Sequence, residues 1–272
     1  MAADKFCKIT VLENMLELDK IYNEDCLEGM KRIPDGSVDC IVCDLPYGTT
    51  ACSWDILIPF DKLWEQYDRI IKDNGAVLLF GQEPFSSFVR MSNLKNYKYD
   101  IYWQKERITN IQQVKRRVGK NVETISIFYK KQCTYNPQML NYDGPHRGNK
   151  IKDGKLGKLT DNNMKRPYEY VDTGKRYPTQ VWKFKRDILT SNLHPTQKPL
   201  LLIEELVKTF TNEGDTVLDN CMGSGTTAIA CIQSNRHFIG FELDKQYYSV
   251  AVNRIQDAIC NKNGEKQLTL DL

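Results

Sequence analysis

The chain has 272 residues, is 41% hydrophobic and carries a formal net charge of +3, enough for one large α/β domain or one domain with an insertion. No apolar run nears the roughly 18 residues that cross a bilayer, and Met1-Ala2-Ala3-Asp4-Lys5 lacks the basic start and apolar centre of a secretory leader. Nine cysteines, scattered and odd in number, argue against a disulfide scaffold and for a reducing cytoplasm.

In chain order, Lys20–Asn23 predicts a strand ending at Asp25, and Cys26 to Lys31 a short helix. Pro34-Asp35-Gly36 signals a turn before the apolar run Val38–Cys43, which reads as a buried strand. That strand ends in Asp44-Leu45-Pro46-Tyr47-Gly48. At the carboxyl end of a sheet, where ligands collect in open α/β folds, a carboxylate beside an aromatic ring suits a planar base carrying an exocyclic amine. Asp44 and a neighbouring backbone carbonyl accept the two amine hydrogens, Tyr47 stacks on the ring and Pro46 holds the backbone. The plainer alternative is a strand followed by a proline turn. Phe60 to Lys72 has helical spacing, with Leu63, Trp64, Tyr67, Ile70 and Ile71 on one face and Asp73-Asn74-Gly75 as its cap. Ala76–Phe80 is a further buried strand, and Pro84 starts another helix. Tyr99–Trp103 and Thr124–Tyr129 read as two antiparallel strands joined by a basic loop. Leu200–Phe210 is a helix.

The strand Thr216-Val217-Leu218 is followed by Asp219-Asn220-Cys221-Met222-Gly223-Ser224-Gly225-Thr226-Thr227 and a helix through Ala228–Ile232. Strand, glycine turn and helix let a ligand approach bare backbone at a helix N-terminus. Glu242 ends the next strand, His237–Phe241, 19 residues after Gly223, a distance at which an acid commonly binds the two hydroxyls of a ribose. An adenosine-type cofactor follows. Lys245–Ile259 closes the chain as a helix. Strands alternating with helices, plus a late hairpin, give an α/β fold: a doubly wound, mostly parallel sheet with an antiparallel hairpin.

Charge is segregated. Lys105–Lys120 carries +5 and Lys131–Leu193 carries +7, leaving −9 for the remainder. This suits a face that meets a polyanion, against the plainer reading of a solvated lysine-rich surface. Gln132–Asn192 is rich in Gly, Asn, Lys and Tyr and is too long for a structureless loop in a compact domain, so it reads as an inserted recognition region. Arg107, Lys115, Arg116, Arg117 and Lys120 are candidate contacts to nucleic acid, as are Lys165, Arg166, Arg176, Lys185 and Arg186 in the insert. Cys40 and Cys43 form a C-x-x-C without a second pair, and His146, His194 and His237 show no ligand spacing, so no metal site is expected.

Asp44-Leu45-Pro46-Tyr47, the glycine turn and His194-Pro195-Thr196-Gln197-Lys198-Pro199 together resemble the β group of amino-methyltransferases, bacterial or phage-encoded, that modify DNA bases with S-adenosylmethionine. There the tetrad is D-P-P-Y, the turn D-P-F-x-G-S-G-T-T and the hexapeptide H-P-T-Q-K-P. Here Leu45 replaces a proline, and Asn220-Cys221-Met222 stands where Pro-x-Phe is usual. The resemblance covers roughly Lys20 to Ile259 and implies a Rossmann-like methyltransferase fold. Its domain order would be a catalytic half at 1–130, a target-recognition insert at 131–193, a cofactor half at 194–260 and a tail at 261–272. It implies methylation of adenine N6 in double-stranded DNA after base flipping, with Asp44, Pro46 and Tyr47 catalytic. The implied cofactor set is Asp25, Cys26, Asp44, Thr196, Lys198, Asp219, Asn220, Met222, Gly223, Ser224, Gly225, Thr226, Thr227 and Glu242. Asp25 is equally a cap for the helix from Leu27. Trp103 and Lys105 fit a family position near the target base, Lys105 also as a DNA contact, while core is the stronger reading for Trp103. Dimers are frequent in the group.

Gln267–Leu272 resembles the short peptides that dock on the bacterial sliding clamp; the alternative is a last strand or frayed end packing on its own domain. Cytosine N4 or RNA as target stays open. Two rival readings are an inactive DNA-binding protein, suggested by Leu45, and a nicotinamide dehydrogenase, suggested by Gly223-x-Gly225-x-x-Ala228.

Overall fold

The computed structural model describes residues 16–48, 55–142, 144, 173–187 and 197–270. His194, Pro195, Thr196, Lys165, Arg166 and His146 lie outside the described residues.

Alternating apolar residues in Val38–Cys43 explain the centre of the sheet. Cys40 and Val42 face one hydrophobic layer, Ile41 and Cys43 the other, because strand side chains alternate. The same alternation separates Cys40 from Cys43, so this C-x-x-C does not converge on one point. Around this strand (β2) an eight-stranded sheet is built. The first strand, β1 (Lys20–Tyr22), pairs parallel with β10 (His237–Phe241), β10 with β9 (Thr216–Asp219), β9 with β2, and β2 with β3 (Ile71–Gly81). Beyond β3 lie β5 (Val122–Phe128) and β4 (Tyr97–Gln104), paired antiparallel, so the late hairpin read from the sequence is present.

Helices cover both faces. On one face lie α1 (Cys26–Met30), α2 (Phe60–Ile70) and α3 (Phe85–Ser92); on the other lie α4 (Leu200–Phe210), α5 (Thr226–Gln233) and α6 (Lys245–Leu270). The α2 stripe read from the spacing is the buried one: Leu63, Tyr67 and Ile70 are fully enclosed, each apolar side chain contributing roughly 1.5–3 kcal/mol. The helix ends at Ile70, however, and 73–75 do not cap it. Ile71 pairs with Val38 and Ala76 with Cys40, so Lys72–Gly75 forms a bulge inside β3. Lys72 pairs with Asp39 at 2.7 Å there, and the close approach leaves no room for a side chain at Gly75, whose Cβ would lie 2.8 Å from the Asp39 carbonyl oxygen.

Two further expectations change. Val181–Lys183 is β8, a parallel edge strand on β4, and Trp182 is buried in the core, so this part of the 131–193 region belongs to the sheet. The second compact unit spans Pro137–Thr179. Within it β6 (Leu140–Asn141) pairs antiparallel with β7 (Lys175–Arg176), and Arg176 lies 4.3 Å from the centre of the Tyr142 ring. Of the tail read at 261–272, the part through Leu270 continues α6 rather than forming a strand or a loose end, and 271–272 lie outside the described residues. Among the described residues no helix is long and apolar enough to cross a membrane.

Candidate active site

Parallel strands bring their carboxyl ends to one edge, and here β1, β2, β9 and β10 open onto a shared cavity of about 380 Å³. Asp25 and Cys26 after β1, Asp44 and Pro46 after β2, Asp219 to Ser224 after β9 and Glu242 after β10 all line it, as do Lys198, Thr226 and Thr227. Tyr47 flanks Asp44, and Gly225 completes the turn beneath α5. Glycine is required at both Gly223 and Gly225, whose φ values are +54° and +83°.

The end of the cavity at the glycine turn is built on backbone. Glu242 Oε2 accepts from the Gly223 N–H and Oε1 from the Asp244 N–H, each at 2.8 Å. Its side chain still lines the cavity, and burial raises its pKa. Asp219 accepts from the Thr227 hydroxyl at 2.6 Å and from the Cys221 N–H at 3.1 Å; burial outweighs both bonds and pushes its carboxyl up to about 7. Thr227 and Asn220 therefore shape the turn: Asn220 Oδ1 accepts from the Tyr67 hydroxyl at 2.5 Å. The Ser224 hydroxyl accepts from Arg254 at 2.8 Å. Asp25 caps α1, accepting from the N–H groups of Leu27 and Glu28 at 2.8 and 3.2 Å, and it also lines the cavity. Met222 is buried over Gly240, where a Cβ would strike its terminal methyl.

At the opposite end Asp44 Oδ1 accepts from the Tyr47 hydroxyl at 2.8 Å, and Oδ2 pairs with the Lys198 ammonium at 2.5 Å. Burial raises the Asp44 pKa, partly offset by Lys198. One face of Tyr47 is stacked on Phe85, with ring centres 4.6 Å apart. Leu45 is buried in the layer of α1 and α2, so its side chain adds packing where the proline is missing. The Gly48 N–H donates to Asp55 at 2.8 Å. An acceptor beside a held aromatic ring thus faces an acid-ended glycine turn across one cavity.

The pattern of the N6/N4 DNA methylase family matches residues 38–253, a span that takes in Asp44–Tyr47, Lys198, the glycine turn and Glu242. The chain belongs to this family. It is 28% identical over 260 residues to the DNA adenine methyltransferase YhdJ of Escherichia coli, covering 89% of this chain and 84% of that one. It is 29% identical over 259 residues to the type II methyltransferase M1.MboII of Moraxella bovis, covering 87% and 96%. Among solved structures, the M1.HpyAVI–SAM complex superposes with a TM-score of 0.57 at 26% identity, covering 86% of this chain and 98% of that one. The cytosine-N4-specific PvuII methyltransferase, at 16% identity and a TM-score of 0.62, shares the fold.

The methylase departs from its sequence reading at Lys105. This residue is buried, and its ammonium pairs with Glu123 at 2.6 Å, so it is withdrawn from the surface and is no contact for phosphate. Trp103 is core, its indole N–H donating to the Phe184 carbonyl at 2.9 Å. By contrast Arg107, Lys115, Arg116, Arg117 and Lys185 are exposed and Lys120 is partly so. Arg186 is held by Glu106 at 3.0 Å. Glu123, Gln82, Tyr67 and Arg254 support the site without belonging to any motif. Only Glu123 leaves a trace in the sequence, as a lone acid in the apolar segment Val122–Phe128, and periodicity cannot say what such an acid faces.

Proposed function

We propose that this DNA methylase transfers the methyl group of S-adenosylmethionine to the exocyclic N6 amine of an adenine rotated out of double-stranded DNA. The observation that carries this reading is that Asp44 and the turn closed by Glu242, 198 residues apart in sequence, line the same cavity. The adenine methyltransferase among its relatives supports the choice of base. Bound S-adenosylmethionine supplies an electrophilic methyl on a sulfonium.

The residues present fit that cofactor. Glu242 keeps acceptor capacity beyond its two backbone bonds and would take the ribose hydroxyls. Met222 would present an apolar side chain to the adenine ring, and Lys198 would offer one of its three N–H donors to the methionine carboxylate while the others serve the carboxylates beside it. Facing them, Asp44 accepts an N–H hydrogen of the target amine, so the nitrogen lone pair is withdrawn from the ring and aimed along the line of displacement. Proximity supplies the other large part of the rate. Tyr47, braced by Phe85, would stack on the base. A stack worth ~1–3 kcal/mol offsets much of the few kcal/mol that rotation out of the helix costs. The exposed cations of the β4–β5 loop, Arg107 and Lys115–Arg117, would hold the phosphates. The Pro137–Thr179 unit, with Arg176, would be the target-recognition region.

Expression in a methylation-free bacterial host followed by modification-sensitive long-read sequencing tests this directly. N6-methyladenine in one sequence context is the expected result. N4-methylcytosine would replace adenine by the alternative base, and unmodified DNA would reject the reading.

A further inference from the structure

Between the catalytic carboxylate and the β4–β5 hairpin runs a file of alternating charges, half-buried at Asp44 and Lys198 and buried at Glu123 and Lys105. Lys198 pairs with Asp44 Oδ2 at 2.5 Å and lies 3.7 Å from Glu123 Oε2. Glu123 Oε1 is engaged by Lys105 at 2.6 Å and by the Gln82 amide. Glu123 Oε2 is buried and has no hydrogen-bond partner among the described residues. The Lys198 ammonium offsets its charge from 3.7 Å, too far for a hydrogen bond, and a fold leaves such an acceptor open only for a reason.

The reason lies in the chemistry assigned above, on which this inference rests. In the observed arrangement both Asp44 oxygens are engaged, one by Tyr47 and one by the ammonium. An ammonium on Oδ2 competes with an incoming amine hydrogen and draws electron density from the acceptor. The Phe80 ring, 5.1 Å from Lys198 Nζ, walls one side of the ammonium. We infer that Glu123 is a positioning residue: its unsatisfied oxygen receives the Lys198 ammonium when the target amine arrives, releasing Asp44 to accept the amine. No covalent bond changes, and the net charge of the file stays at zero throughout. Both partners stay charged: burial lowers the Lys198 pKa but the two carboxylates outweigh it, and burial raises that of Glu123 but Lys198 and Lys105 outweigh it.

Single-turnover methylation at saturating S-adenosylmethionine and DNA, with both Kd values measured separately, tests this on the full chain. Glu123→Gln should slow transfer at least tenfold while both Kd values stay within threefold. Because that change strands the Lys105 ammonium, the double variant Lys105→Met/Glu123→Gln is the decisive one. It removes the stranded charge yet offers the Lys198 ammonium only a neutral amide in place of the receiving carboxylate, and should stay at least tenfold slow with a native melting temperature. Recovery of the wild-type rate in the double variant would mean that Glu123 only neutralises Lys105, and the inference falls. A loss confined to cofactor Kd would overturn it too, since Lys198 would then act on the cofactor alone. Should Asp44→Ala remain active, the underlying assignment of the carboxylate fails instead, a separate result.

Discussion

The Gly223 N–H donates to Glu242 Oε2 at 2.8 Å, so the acid that ends β10 also shapes the glycine turn that ends β9. One carboxylate therefore shapes the glycine turn and lines the cavity that would receive the ribose of a cofactor. Glu242→Gln keeps the volume but turns an amide NH2 toward one of the two backbone N–H donors and leaves the other a neutral acceptor, so both roles weaken. Affinity for S-adenosylmethionine should fall at least tenfold by calorimetry, and the melting temperature should fall with the lost backbone bond. An unchanged Kd would remove Glu242 from the cofactor site.

Asp44→Ala should abolish methyl transfer to DNA, with a loss of at least about 10³-fold in single-turnover rate. Acceptor groups aimed at a reacting centre are worth this much. Lys198 keeps Glu123 as a partner at 3.7 Å, so the variant should fold and bind S-adenosylmethionine within a few-fold of wild type. Measured methyl incorporation that survives the change would show the acceptor to be another group.

A side chain at Gly29 would collide with the enclosed ring of Phe241, the residue before Glu242. Gly29→Ala should therefore cost about 1–3 kcal/mol by overpacking and also weaken cofactor binding through the displaced strand end. Adding Phe241→Leu should restore part of the stability. Denaturant titration of the single and double variants reads this, and equal stability of Gly29→Ala and wild type would contradict the packing described.

Asp219 sets a pH dependence. Burial raises its folded pKa from 3.8 to about 7, so between those values the folded chain holds a proton that the unfolded chain has released. Its contribution to stability is complete below about pH 4 and is lost as pH rises through about 7, a change on the order of 4 kcal/mol. Asp219→Asn should flatten this component. Relative to wild type, the variant's melting temperature should rise between pH 5 and pH 8, and a constant difference across that range would show that Asp219 titrates normally.

Arg116 and Arg117 are exposed, whereas Lys105 is buried against Glu123. Arg116→Ala/Arg117→Ala should weaken DNA binding and reduce the slope of log K against log salt by about 2, one phosphate each. Lys105→Met should leave that slope unchanged and act on stability and on the rate. Filter binding across salt concentrations separates the two, and a slope change for Lys105→Met would return it to the surface.

Local pattern is sufficient for much of this protein. Alternation in Val38–Cys43, the helical stripe of Phe60–Ile70 and the strand–turn–helix around Gly223 are short-range signals, so the strands, most helices and the two halves of the site are legible in the amino-acid sequence alone. The resemblance of Asp44–Tyr47 and His194–Pro199 to a family adds the chemistry. What local pattern does not carry is pairing between distant residues. Whether Lys105 meets solvent or Glu123, whether Val181–Lys183 joins the insert or the edge of β4, and whether Glu123 lies beside Lys198 are all decided when the β4–β5 hairpin packs beside β3. A charged side chain reads the same in sequence whether it is solvated or paired; only the tertiary environment, by removing water and supplying a counter-charge, determines which it is.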